Sequence, residues 1–102
     1  MMIRKEADIK KSIIEYLTVR KNLVIPQRTI GLKTKHGYIP AMRRGVSDII
    51  GCTPTGKFFA IEVKTEKGRQ TQEQLDFLVD VQRHEGIVFI ARSVNDVVER
   101  GL

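Results

Sequence analysis

The sequence predicts an α/β domain in the order α-β-β-β-α-β-α, a mixed sheet flanked by helices. Three observations predict it. Residues 4–20 and 71–84 repeat apolar side chains at helical spacing. Residues 23–25, 46–52, 57–64 and 87–91 are apolar runs of strand length. The span from Phe58 to Ala91 reads strand, helix, strand with the length of a right-handed crossover, so its two strands should lie parallel. With 102 residues, 41% hydrophobic and 29% charged, the chain has the composition of a folded protein and room for one core. Residues 1–102 are read as a single domain.

The first helix, Arg4 to Arg20, places Ile9, Ile13, Tyr16 and Leu17 on one face. Leu23-Val24-Ile25 reads as a strand that Pro26 stops or confines to an edge. From Gln27 to Arg44 polar and basic residues predominate, punctuated by Gly31, Gly37 and Pro40, which predicts a loop or loose hairpin, expected to be mobile. Val46–Cys52 and Lys57–Lys64 flank Thr53-Pro54-Thr55-Gly56, a turn signal that makes them an antiparallel hairpin. The second helix runs from Thr71 to His84, its inner face read as Leu75, Leu78, Val79 and Gln82, with Gly86 placed to end it. Ile87–Ala91 is a buried strand, and Ser93 can cap a last helix bearing Val94, Val97, Val98 and Leu102.

Composition excludes several classes. No apolar run approaches the roughly 18 residues of a membrane span. The start has no apolar stretch behind its basic residues, unlike a secretory signal, and Cys52 is the one cysteine. No internal disulfide is possible, so a cytoplasmic location is expected. Charge is more informative. The chain carries +6, but residues 1–45 hold eleven basic groups against three acids, a net of +8, while the other 57 residues net −2. This asymmetry suggests a polyanion held by one part while carboxylates work in another. Arg28, Lys33, Lys35, Arg43 and Arg44, in and beside the loop, are the candidate DNA-binding residues. Tyr38, between Gly37 and Ile39, is the aromatic free to touch DNA.

The chemistry falls on the hairpin. With the turn centred on Thr55, residues whose numbers sum to 110 face each other, so Asp48 stands opposite Glu62. Facing side chains lie about 4.5 to 5.5 Å apart at Cβ, close enough for two carboxylates to share a divalent cation. Lys64 shares the face of Glu62 because side chains alternate. Such charges on a strand apolar on both faces either sit at its exposed end or bind something. The spacing acid-x-Lys also occurs at Asp8-Ile9-Lys10, read as solvated charges on the first helix.

Gly45-Val46-Ser47-Asp48, then Glu62-Val63-Lys64, then Gly68 followed by Thr71 and Gln74 at a helix start, resemble the virus-type replication-repair nuclease (VRR-NUC) domain, a branch of the PD-(D/E)xK nucleases. The resemblance runs from Glu6 to about Ala91. It implies a restriction-endonuclease-like core, with Asp48 and Glu62 binding Mg²⁺ or Mn²⁺ and the Val63 carbonyl completing the metal shell. It also implies that Lys64 positions or activates the attacking water. Glu6 matches the family's helical acid at the metal, with Asp8 and Glu15 as the other acids of that helix. Gln74 matches a glutamine near the site, but Thr71-Gln72-Glu73-Gln74 is equally a capping box, and the two readings are compatible. A divalent cation offsets charge on the scissile phosphate and lowers the pKa of a bound water. Lys64 then either donates to phosphate or nucleophile, or acts as a base with a depressed pKa.

The remaining candidates are bland. His36 and His84 lack a partner at metal-ligand spacing, Cys52 reads as a small core residue, and Gly31–Gly37 lacks the spacing of a P-loop, so no nucleotide cofactor is expected. Three functions follow: a metal-dependent endonuclease, a basic nucleic-acid-binding protein without catalysis, or a structural protein. The resemblance further implies a homodimer selective for four-way junctions or other branched DNA, and suits a phage or prophage origin. Apolar residues available to an interface are Val19, Leu23 and Ile25, then Ile30, Ile39 and Met42 of the favoured loop, and Val97, Val98 and Leu102.

Overall fold

A computed structural model describes residues 5–27, 32–39 and 44–102, with main chain alone at 32–34, 38 and 39. Three helices and six strands follow in order: α1 (Glu6–Val19), β1 (Leu23–Pro26), β2 (Leu32–Thr34), β3 (Gly37–Ile39), β4 (Ile49–Cys52), β5 (Phe58–Val63), α2 (Gln72–Arg83), β6 (Ile87–Ala91) and α3 (Val94–Glu99). Strands β1, β4, β5 and β6 form one sheet in that spatial order, and β2 pairs with β3 in a separate hairpin. Apart from that hairpin the order is the predicted α-β-β-β-α-β-α. Pro26 does confine β1 to the sheet edge, since it cannot donate to a further ladder.

The β4–β5 register pairs Ile49 with Ile61, Ile50 with Ala60 and Cys52 with Phe58, the sum of 110 expected from the turn. Thr53 carbonyl accepts from the Gly56 amide at 2.8 Å and closes that turn. Strand β6 runs parallel to β5, pairing Val63 with Ala91. Alternation then divides the core. Ile49, Phe59, Ile61 and Val63 meet Ile9, Ile13 and Leu17 of α1 and Val97 of α3 on one face, while Ala60 meets Leu78 and Val81 of α2 on the other. Gly51 belongs to the first face, where a Cβ would stand 2.6 Å from the Phe59 ring and 2.0 Å from the Leu23 carbonyl oxygen. The ring therefore fills the space that a side chain at 51 would need.

Three local expectations are corrected. Strand β4 begins at Ile49, because residues 46–48 leave the ladder to bring Asp48 to the site. The inner face of α2 is Gln74, Phe77, Leu78 and Val81, whereas Leu75, Val79 and Gln82 are exposed. The stripe is rotated because a polar residue, Gln74, faces the sheet. Helix α2 ends through Glu85, at φ 66, while Gly86 is required for space, since a Cβ there would lie 2.5 Å from Val81 Cγ1. Cys52 is half-buried. Val97 and Leu102 are buried and unavailable to an interface, whereas Val19, Leu23, Ile25 and Val98 are exposed.

Candidate active site

Delivery of Asp48 begins at Gly45. Its φ is +82, and a Cβ there would lie 2.2 Å from the Glu73 carbonyl and 2.6 Å from the Gln74 amide nitrogen. The segment can therefore run against the first turn of α2 only with glycine at this position. Asp48 then arrives buried at the start of β4. Its carbonyl accepts from the Gln27 amide at 2.8 Å, and its Oδ2 accepts from the Val63 amide at 2.9 Å. Just before the start of β4, the side chain thus substitutes for a ladder carbonyl.

Glu62 is fully buried, at 0% exposure, on the α2 side of β5. Its Oε1 accepts from Gln74 Nε2 at 3.0 Å and lies 3.7 Å from Lys64 Nζ. Its Oε2 is buried and accepts no hydrogen bond. Burial first, and then the neighbouring Asp48 carboxylate, push its pKa up to about 9, against the opposing pull of Lys64. A buried carboxyl with an idle oxygen beside a second carboxylate is costly in isolation and well suited to a cation.

Gln74 satisfies both readings at once. Its Oε1 accepts from the Thr71 amide at 2.8 Å, and its own amide donates to Thr71 Oγ1 at 3.2 Å, which is the capping box. Its Nε2 remains available for Glu62. The start of α2 and the orientation of Glu62 are therefore set by one side chain.

The structure brings together Asp48, Glu62, Val63, Lys64 and Gln74. Glu6, exposed in the first turn of α1, is near enough to add weakly to the upward shift of Glu62. No group of three His, Cys, Asp or Glu residues converges as a metal site among the described residues. Of the basic candidates, Lys35 and Arg44 are exposed. Arg28 and Arg43 lie outside the described residues, as do the side chains of Lys33 and Tyr38; Ile30 and Met42 do too, and the side chain of Ile39. His36 sits in the β2–β3 turn, and His84 Nδ1 lies 2.7 Å from the Asp80 carbonyl at the C-cap of α2.

Two features escaped the sequence reading. Exposed Lys67 and Arg69 follow Lys64 by three and five residues. Arg92, beyond β6, reaches back to the turn after Lys64. Strand parity signals only the second: with Ala91 paired to Val63, the residue that follows β6 leaves the sheet beside Lys64.

The family model of the VRR-NUC domain matches residues 15–95. A solved structure of a VRR_NUC domain superposes with a TM-score of 0.68 at 22% sequence identity, covering 92% of this chain and 90% of that one. That likeness is one of fold. No curated protein matches the chain.

Proposed function

This chain belongs to the VRR-NUC domain family, a nuclease family of the PD-(D/E)xK type, and from that premise we propose that it is an endonuclease that hydrolyses DNA phosphodiesters with Mg²⁺ or Mn²⁺. The observation that carries the reading is the idle, buried Oε2 of Glu62 beside Asp48 and Lys64. The donor set fits a hard divalent cation: carboxylate and carbonyl oxygens with no sulfur or imidazole. Asp48, Glu62 and the Val63 carbonyl would hold it, with Glu6 as the further acid. Such an ion supplies Lewis acidity toward the phosphate and lowers the pKa of a bound water.

The chain's own residues do the rest. The Val63 amide fixes the Asp48 carboxylate, and Gln74 fixes Oε1 of Glu62, so neither acid reorganises on binding. Lys64 is close enough to balance part of the carboxylate charge, and its ammonium donates to a phosphate oxygen or to the attacking water. Arg44 and Lys35, with Arg28, Lys33 and Arg43, hold the DNA backbone.

We further propose that the active species is a homodimer that prefers four-way junctions or other branched DNA. Each chain carries one such site and makes one nick, and a two-fold pair supplies two nicks related by a junction's own symmetry. Exposed Val19, Leu23 and Ile25 are apolar surface for that pairing.

The test is incubation of pure protein with labelled four-way and linear DNA in Mg²⁺, Mn²⁺ or EDTA. Metal-dependent cutting is expected, and binding without cutting would favour the non-catalytic basic protein. Sedimentation showing only the 11.6 kDa species, with equal cutting of both substrates, would overturn the dimer and the branched preference while leaving the nuclease standing. No described helix is long and apolar enough to cross a membrane.

A further inference from the structure

The turn after Lys64 is held by a cation that the chemistry above does not use. Arg92 stands one residue beyond Ala91, whose carbonyl accepts from the Lys64 amide at 3.1 Å. Arg92 Nη1 donates to the carbonyl oxygens of Thr65 and of Gly68, the latter at 3.0 Å. Those two residues also close on each other, the Gly68 amide donating to the Thr65 carbonyl at 3.1 Å. Gly68 in turn lies against the lysine stem: a Cβ at 68 would stand 3.3 Å from both Cβ and Cδ of Lys64.

Arg92 is itself anchored. Its amide donates to Asp96 Oδ2 at 2.8 Å, and the Asp96 amide donates to Ser93 Oγ at 3.3 Å, at the capped start of α3. An unbroken set of contacts therefore runs from α3 through Arg92 and the 65–68 turn to the stem of Lys64. Guanidinium-to-carbonyl bonds are charge-assisted and stronger than those between neutral groups. Lysine has four rotatable bonds and loses much rotamer freedom when its head is fixed. Confining the stem before substrate arrives removes part of that loss from the reaction.

We propose that Arg92 is a positioning residue for Lys64: it clamps the 65–68 turn, and the turn confines the lysine stem so that Nζ stays beside Glu62. The inference rests on the nuclease reading, because it is for that reaction that Lys64 is positioned. A plain loop staple would protect the turn but would not act through the lysine.

The experiment has two arms on the full chain. Cleavage kinetics on four-way DNA with Mg²⁺ are measured for Arg92→Ala, Lys64→Ala and the double variant, with folding checked by circular dichroism. Arg92→Ala should lower kcat about 10- to 100-fold with KM little changed, and should cost less than about twofold further in the Lys64→Ala background. Arg92→Lys, whose ammonium can still serve two carbonyls, should recover most of the loss. Additive losses, or full activity in Arg92→Ala, would overturn the proposal. Should Arg92→Ala not fold, Gly68→Ala attacks the same clamp from the lysine side and should show the same non-additivity with Lys64→Ala.

The second arm needs no cleavage. Hydrogen exchange at the Gly68 amide should be slow in the wild type and faster in Arg92→Lys and Arg92→Ala, in that order. An unchanged exchange rate would remove the clamp. A wild type that cuts nothing but shows this exchange pattern would refute the nuclease reading and leave the clamp intact, so the two failures are separable.

Discussion

Two regions of this molecule carry the same three-residue pattern, and the fold treats them oppositely. Asp8-Ile9-Lys10 lies in the first turns of α1, where Ile9 enters the core and Asp8 is exposed. Its lysine is turned away to the Gln27 carbonyl, at 3.1 Å. Glu62-Val63-Lys64 lies at the end of the doubly covered strand β5, where Val63 enters the core and Glu62 is buried with it. On a helix, two residues that flank a core position project toward solvent; on a central strand they point into the opposite layer. Acid-x-Lys therefore leaves its acid exposed in one setting and buries it in the other. What distinguishes them is a second acid across the hairpin and a glutamine above.

The largest test of this contrast is catalytic. Asp48→Ala, Glu62→Ala and Lys64→Ala should each reduce metal-dependent cleavage to a small residual rate while folding survives, a loss of several kcal/mol of transition-state stabilisation. Asp8→Ala should cut like the wild type. Full activity in any of the first three variants, measured under single-turnover conditions, would dissolve the site.

Next comes stability against pH. In the unfolded chain Glu62 loses its proton above about 4.5, whereas in the folded protein it keeps it up to about 9. Between these values the unfolded state binds fewer protons, so its carboxyl makes the metal-free fold less stable as pH rises. The effect is on the order of a few kcal/mol. Thermal melts in EDTA from pH 5 to 9 should fall more steeply for the wild type than for Glu62→Gln. At pH 8, Mg²⁺ or Mn²⁺ should raise the melting temperature of the wild type well above its effect on Glu62→Gln. Parallel slopes in the two proteins would show that burial of Glu62 does not control the site.

Much of this was legible in the sequence because it rests on local rules. The hairpin turn centred on Thr55 sets the register that pairs Ile49 with Ile61, one residue from each of the two acids, and alternation then assigns each strand residue to a layer. The crossover length sets β6 parallel. What was not legible rests on partners that carry no pattern. Gln74 is polar, so apolar counting rotated the α2 face away from it, although that residue is what joins the helix to Glu62. The β2–β3 hairpin lies among basic and polar residues without alternation, and so read equally as a loop. Arg92 binds main-chain carbonyls of a turn, and main-chain acceptors leave no trace in side-chain spacing. Gly45 was visible as part of a motif, but its reason, contact with the Glu73 carbonyl, exists only in three dimensions.

A smaller effect concerns binding. Replacing Arg43 and Arg44 by Glu should weaken DNA binding and flatten its dependence on salt, because each lost phosphate contact removes close to one released counterion. The equivalent reversal of Lys10, already committed to a carbonyl within the protein, should leave the salt slope nearly unchanged. Fluorescence anisotropy from low to moderate salt reads both. Unchanged affinity in the Arg43 and Arg44 variant would place the DNA surface elsewhere, with exposed Lys67 and Arg69, which follow Lys64 in the chain, the first residues to test.

The smallest expected effect isolates what the α1 motif does contribute. Lys10 Nζ reaches the carbonyl of Gln27, which follows edge strand β1 and whose amide in turn binds the Asp48 carbonyl. Lys10→Met keeps the apolar stem and removes the donor, so the loss should be close to that of a single partly buried hydrogen bond, about 1 kcal/mol. Cleavage at saturating metal should stay within about twofold of wild type, since the Val63 amide continues to hold the Asp48 carboxylate on its own. A melting temperature that drops together with a large loss of cleavage would mean that the two acid-x-Lys segments communicate through Gln27 and Asp48. The opposition between a surface pair and a site pair would then be incomplete. A drop in melting temperature alone would sharpen it, by giving the helical lysine a tethering role and the strand lysine a chemical one.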